Sequence, residues 1–247
     1  MSKQQNSFLY DDREEIVTAV IDRSLMQSDH IELIAKQLKL EPFFEFYQSE
    51  NEGKNLPYHN FYHAKCVFLN CYEACFYEEI DKEAARGLCA AALFHDFNHS
   101  GGRLIDSENI KLAICGLMLA QTHAQKRSLG LSLRSLLIAK DAIKVTEFPF
   151  VHEPKTITQK IIRDADLMQP FEDDSVRLRN QYVGLKEEIE VSTNTTLNLV
   201  DFAVGCKDFQ DAHHWFTRWA EEKAKEKNWE KRKENLELLL IEGENNV

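Results

Sequence analysis

Glu83-Ala84-Ala85-Arg86-Gly87-Leu88-Cys89-Ala90-Ala91-Ala92-Leu93-Phe94-His95-Asp96-Phe97, continued by Asn98-His99-Ser100-Gly101, decides how the rest of this chain is read. Ala84, Ala91, Ala92 and Leu93 suit a helix over 83–97 that packs tightly against its neighbours. The same stretch runs straight into ionisable groups. An Asp that follows Leu93 and Phe94 is costly to bury unless it is paired or holds a metal. His95 and His99 are four residues apart and repeat a spacing seen upstream at His59 and His63, so each pair can point at one place. For His59 and His63 this requires a helix that already begins near Pro57.

Outward from this stretch the chain reads as all-α. Only nine Gly and five Pro occur in 247 residues, and alternating Val, Ile and Thr are scarce. Helices are expected over 14–26 and 31–38, after which Pro42, Asn51-Glu52-Gly53 and Pro57 break the pattern. Over 62–77, Val67, Phe68, Cys71 and Cys75 form one face. Asp106 or Ser107 is expected to cap a helix to about His123, with Ile110, Ala113, Ile114 and Leu117 inward. Shorter helices are expected over 132–145 and 156–167. A charged helix over 211–240 should expose its Lys and Glu run to solvent.

Composition narrows the function. Thirty Lys and Arg against forty-one Asp and Glu leave a net charge of -11, which disfavours nucleic acid held by charge alone. An anionic substrate would then need local positive charge, and a metal provides it compactly. No secretory pattern opens the chain and no run approaches the roughly 18 apolar residues of a membrane span. A cytoplasmic location without membrane partners is expected. The six cysteines Cys66, Cys71, Cys75, Cys89, Cys115 and Cys206 contain no Cys-x-x-Cys pair and are read as reduced core residues.

Three segments place imidazoles and carboxylates within apolar surroundings. They are Tyr58-His59-Asn60-Phe61-Tyr62-His63-Ala64, Phe94-His95-Asp96-Phe97-Asn98-His99-Ser100-Gly101, and Asp164-Ala165-Asp166-Leu167. Mixed nitrogen and oxygen donors suit zinc, iron or manganese, and oxygen-rich sets suit magnesium or manganese. Helical phase leaves Asp164 and Asp166 as competing carboxylates.

The ordered set of a His, a His-Asp pair about thirty residues later and a distant Asp resembles the HD phosphohydrolases. Tyr-His-Asn-x-x-His-Ala, His-Asp-x-x-His-x-Gly and Ala165-Asp166-Leu167-x-x-Pro170 are similar to three segments of the class I 3′,5′-cyclic nucleotide phosphodiesterases. This resemblance implies a single all-α domain over 1–247, with leading helices at 1–57, a metal-site core at 58–170 and C-terminal helices at 171–247. It implies two divalent ions, the first zinc, iron or manganese and the second magnesium or manganese. His63, His95, Asp96 and Asp166 would hold the first, Asp96 would bridge to the second, His99 would support the second through water, and His59 would donate a proton. The frame around Asp166 favours it over Asp164.

Two departures stand out: Ser100 replaces the family's Pro, and its Glu-Asn-His-His segment appears only as Ala120-Gln121-Thr122-His123. The family's glutamine and phenylalanine that hold the base have no clear counterpart; Tyr58, Asn198, Phe202, Phe209 and Gln210 are the candidates for substrate contact. The expected reaction is hydrolysis of a small-molecule 3′,5′-cyclic nucleotide to a nucleoside 5′-monophosphate. Water bridging two metals has its pKa lowered from 15.7 toward about 7, and His59 protonates the departing 3′ oxygen. Alternatives are a nucleotidase or deoxynucleotide triphosphohydrolase on the same frame, or a catalytically inactive nucleotide-binding sensor. The Gly-Tyr-Pro signature of cyclic dinucleotide hydrolases is absent. Base identity and oligomeric state do not follow from the sequence.

Overall fold

The structure, a computed structural model, describes residues 28–168 and 175–226. Among them are ten α-helices, one short 3-10 turn and no strand. They are α1 Ser28–Gln37, α2 Glu41–Glu50, α3 Phe61–Tyr77, α4 Lys82–Phe94, α5 Asp106–Gln125, α6 Leu133–Lys144, α7 Ile157–Leu167, α8 Ser175–Thr193, α9 Leu199–Ala212 and α10 Arg218–Glu226. The all-α expectation holds. The helix expected over 14–26 lies outside the described residues.

Helix α4 is the axis of the bundle. It packs against α2, α3, α5, α6 and α7. A helix surrounded this way cannot keep a polar face, and all residues from Leu88 to Phe94 are buried. The run Ala90-Ala91-Ala92 keeps that helix thin enough for several neighbours to approach it. Leu93 and Phe94 then fix it in a core with Phe43, Phe68 and Tyr47. The Phe94 ring meets Phe43 and Tyr47 edge to face, at centroid separations of 6.2 and 5.6 Å.

Several boundaries differ from the sequence reading for local reasons. Pro42 does not break the chain but sits in the first turn of α2, where its missing N–H is not needed. Helix α3 starts at Phe61, not near Pro57, because Asn60 caps it by accepting the His63 N–H. Helix α4 stops at Phe94, three residues early, and the chain then turns through Asn98 in the left-handed region (φ 56°). Neither Asp106 nor Ser107 caps α5: the cap is Ile105, and Asp106 instead accepts the Phe148 N–H and the Asn109 side-chain amide. Ser132 and Thr156 cap α6 and α7, Thr156 in a full capping box with Gln159. The single helix expected over 211–240 is interrupted between α9 and α10, and its part beyond 226 lies outside the described residues. On α10 the Glu221 and Glu222 carboxylates are exposed, but Lys223 reaches back to Glu73 at 2.6 Å.

None of the six cysteines is in a disulfide. Cys66, Cys71, Cys75 and Cys89 are buried as expected, whereas Cys115 is exposed on α5 and Cys206 of α9 is half-buried against the small core of Tyr182, Phe202 and Ala203. No helix among the described residues is long and apolar enough to cross a membrane.

Asp81 caps α4, accepting from the N–H groups of Glu83 and Ala84, and it also receives Arg134 in a bidentate pair. The Arg134 guanidinium holds its carboxyl below the usual carboxylate range, against the opposing effect of partial burial. Asp81→Ala should cost about 1 kcal/mol at pH 7, the usual loss of a helix cap. A depressed carboxyl contributes stability above its unfolded pKa of about 3.9 and loses it as pH falls through the folded value. The gap in urea midpoint between wild type and variant should therefore narrow from pH 7 to pH 3.

Candidate metal centre

The site is assembled where α3 begins, where α4 ends and where α7 ends. His63 lies in the first turn of α3. The Asn60 amide also donates to the Leu56 and Pro57 carbonyls, so one side chain caps the helix and pins the loop that precedes it. His95 is the C-cap of α4 and donates from Nδ1 to the Ala92 carbonyl at 2.8 Å. That bond makes Nδ1 the donor and turns Nε2 toward the two carboxylates. Asp166 comes from the last turn of α7, which the Asn70 amide of α3 holds through the Ala165 carbonyl.

These side chains converge. Nε2 of His63 and Nε2 of His95 stand 3.1 Å apart. Asp166 Oδ1 lies 3.1 Å from the first and 3.4 Å from the second. Asp96 Oδ2 lies 3.1 and 2.9 Å from the same two atoms. Donors that share a metal at 2.0–2.2 Å and subtend right angles stand about 3 Å apart, so the spacing fits. Both His rings are 1% exposed, whereas Asp96 and Asp166 are 13% and 20% exposed and open one side to solvent.

Burial alone would push the Asp96 and Asp166 carboxyls up, but His95 and its neighbouring imidazole outweigh it and hold both below the ordinary range. Burial likewise opposes charge on His95, and the two carboxylates overcome it. Asp96 Oδ2 is buried and makes no hydrogen bond, and neither does His63 Nδ1. A buried anionic oxygen facing two imidazole nitrogens calls for a cation. By this test the residues fit a divalent metal.

Asp166, not Asp164, is the carboxylate that faces the imidazoles. Asp164 points the other way, is fully buried and accepts from the Phe216 N–H and the Thr217 hydroxyl. Burial pushes its carboxyl up to about 7, with these hydrogen bonds opposing. Asp164 therefore joins α7 to the segment leading into α10. Asp164→Ala should leave metal content intact but cost about 1–3 kcal/mol, because the Phe216 N–H loses its buried acceptor. Metal analysis and thermal unfolding on the same preparation check both halves.

Beside the metal group lies a second one. Asn98 turns the chain, its N–H donating to Asn51 and its side chain accepting from the Glu52 N–H. This carries His99 over His59, with ring centroids 3.8 Å apart. His59 precedes α3 and is held from α8: Glu188 Oε1 accepts from the N–H groups of Tyr58 and His59, and Oε2 lies 2.6 Å from His59 Nδ1. Glu188 Oε2 is also 3.6 Å from His99 Nδ1. Burial would raise the Glu188 carboxyl, yet His59 and the backbone donors hold it below its ordinary value. His63, His95 and Asp166 form one group that could hold a metal, and His59, His99 and Glu188 another.

Two glycines let α8 come this close. A Cβ on Gly184 would lie 2.4 Å from the Pro57 carbonyl oxygen, and one on Gly102 (φ 83°) would lie 2.2 Å from the Glu188 carbonyl oxygen. Gly184→Ala should push α8 off the 57–59 loop and loosen His59, while metal content stays at the wild-type level. Faster hydrogen exchange of the Tyr58 and His59 N–H groups, followed by NMR, is the readout, and unchanged exchange would refute this packing argument.

Glu188 is the residue that sequence reading missed. It sits in Lys186-Glu187-Glu188-Ile189-Glu190, which looks like an ordinary solvated helix face; the available signal was its helical spacing from buried Gln181.

The remaining candidates are dispersed. The Tyr58 ring lies 4.8 and 5.0 Å from the rings of His59 and His63, and burial drives its phenol pKa well up. Asn198 precedes α9, where its carbonyl accepts the Phe202 N–H, and Phe202 packs into a small core with Tyr182 and Ala203. Phe209 is exposed, its ring 6.2 Å from Phe148. The Gln210 side chain and Pro170 lie outside the described residues. Gln121 of the Ala120-Gln121-Thr122-His123 segment makes paired bonds to the Leu131 backbone, and His123 lies against Phe46. That segment is structural here.

No protein-family model, curated protein or solved structure matches the chain.

Proposed function

We propose that this protein is a metal-dependent phosphohydrolase that acts on a 3′,5′-cyclic nucleotide and releases a nucleoside 5′-monophosphate. The observation that carries the reading is the placement of the His59-Glu188 pair, its carboxylate buried, beside a converging group of two imidazoles and two carboxylates. Divalent ions held by His63, His95, Asp96 and Asp166 would supply Lewis acidity, making water a nucleophile near neutral pH and screening the phosphodiester charge.

The chain's own residues then supply the rest. Oxygen atoms of Asp96 and Asp166 remain partly open to solvent, which gives a phosphoester access to this face of the site. His59 holds a proton for the departing 3′ oxygen. Glu188 accepts the Nδ1 proton, so the proton available for transfer sits on Nε2. The two backbone N–H groups on Glu188 Oε1 keep that carboxylate from swinging away. The His99 ring, packed on His59, restricts its rotation.

Assay of cyclic mononucleotides, cyclic dinucleotides and nucleoside mono- and triphosphates with manganese, magnesium or zinc tests the proposal. Turnover of a 3′,5′-cyclic mononucleotide above the others is expected. Preference for a nucleoside triphosphate or monophosphate would instead select the triphosphohydrolase or nucleotidase reading. Binding without turnover under every metal would select a nucleotide sensor.

A further inference from the structure

We propose that His59, His99 and Glu188 form a separate transition-metal site, and that excess zinc bound there switches off proton donation to the substrate. The switching half rests on the reading of His59 as proton donor; the binding half does not. Glu188 Oε2 stands 2.6 Å from His59 Nδ1 and 3.6 Å from His99 Nδ1, and the three side chains can bring ligand atoms within 4.8 Å of one another. Two imidazoles and one carboxylate are a donor set that zinc hydrolases use, and it is too nitrogen-rich for magnesium.

The set is preorganised. Oε1 of Glu188 is fixed by the Tyr58 and His59 N–H groups, which leaves Oε2 to face both rings. The Glu188 side chain is 5% exposed, so its charge is little screened, and the 22% exposure of His59 provides a route from solvent. What zinc must displace is modest: the bond from His59 Nδ1 to Glu188 and a 3.2 Å contact from the Gly101 N–H to His99 Nδ1. His99 Nε2, 3.8 Å from Asp106 Oδ1, stays outside the set. None of His63, His95, Asp96 or Asp166 is required, so this site and the main centre can fill independently.

Zinc on His59 Nδ1 takes the lone pair that otherwise carries the proton facing Glu188. An imidazolium at His59 would lose that proton to solvent on binding, one per zinc. The ring would keep a single N–H at Nε2 as a neutral imidazole, a much weaker acid than imidazolium. Hydrolysis that needs a protonated leaving group would slow, while an ester with a good leaving group would be spared.

Equilibrium dialysis against zinc tests binding without any turnover. Glu188→Gln should hold one zinc fewer than wild type; the Gln oxygen still accepts the Tyr58 and His59 N–H groups, and circular dichroism checks the fold. Asp166→Ala, which removes a ligand of the main centre, should keep this zinc. Equal zinc content in Glu188→Gln and wild type would overturn the site, as would complete loss of zinc from Asp166→Ala. In the wild type, excess zinc should inhibit cyclic nucleotide hydrolysis while p-nitrophenyl phosphodiester hydrolysis continues. Equal inhibition of the two esters would overturn the switch. Absence of any turnover with intact zinc counts would count against the phosphohydrolase reading and leave the site standing.

Discussion

Asp96→Asn is expected to empty the proposed metal centre and abolish turnover while the helical content stays at the wild-type level. Asn keeps the volume and shape of Asp, so the core around Leu93 and Phe94 is undisturbed. What is lost is the anionic oxygen that stands 2.9 and 3.1 Å from the two imidazole Nε2 atoms. Loss of even an outer partner of a metal ligand costs 10–100-fold in affinity, and removal of a ligand should exceed about 100-fold. His95→Ala and Asp166→Ala should behave alike. Elemental analysis of the purified variants against wild type is the measurement, and full metal content in any of them would refute the ligand assignment.

His59→Ala is expected to do the opposite: to keep its metal and lose its rate. Without a proton donor, hydrolysis of a 3′,5′-cyclic nucleotide should slow by about 10² to 10⁴-fold. The defect should depend on the leaving group. A p-nitrophenyl phosphodiester departs with little need of protonation, so the variant should retain far more of its activity on that ester. Rates on both substrates, taken at matched metal occupancy, make the contrast independent of enzyme quality. Equal losses would mean that His59 binds or positions the substrate, and loss of metal would place it among the ligands.

The sequence made most helices legible because they bury one apolar stripe. Val67, Phe68, Cys71 and Cys75 on α3, and the alanines of α4, were read correctly from spacing alone. Helix ends were harder, since a cap depends on one side chain finding one N–H. Asn60 was in plain view inside the Tyr-His-Asn segment, yet the His pair at 59 and 63 drew attention to a helical spacing that the cap forbids. Pro42 misled in the reverse direction, because a proline that breaks a helix interior is harmless in a first turn.

The site was legible in its local parts and illegible in its long-range ones. His63, His95, Asp96 and Asp166 stood out as polar groups in apolar surroundings, and the structure brings them together. Asp164 and Asp166 could not be separated by phase, since what distinguishes them is the Phe216 N–H, 52 residues further on. Glu188 resembled its neighbours Glu187 and Glu190 in every respect local to the sequence. Only the contact with the 57–59 loop gives it a role.

The hold of α8 on that loop also orders the assembly of the site in time. Every proposed ligand of the main centre lies between residues 63 and 166: His63 on α3, His95 and Asp96 at the end of α4, and Asp166 on α7. The anchor of His59 comes from Glu188, 129 residues later in the chain. Contacts so distant in sequence carry a larger loop-closure cost and tend to form late. A nascent chain folded only through α7 would present both imidazoles and both carboxylates, while its His59 ring would lack the Glu188 anchor. On the proposed mechanism, the capacity to capture a metal would precede the capacity to deliver a proton, and the arrival of α8 would add the second to the first.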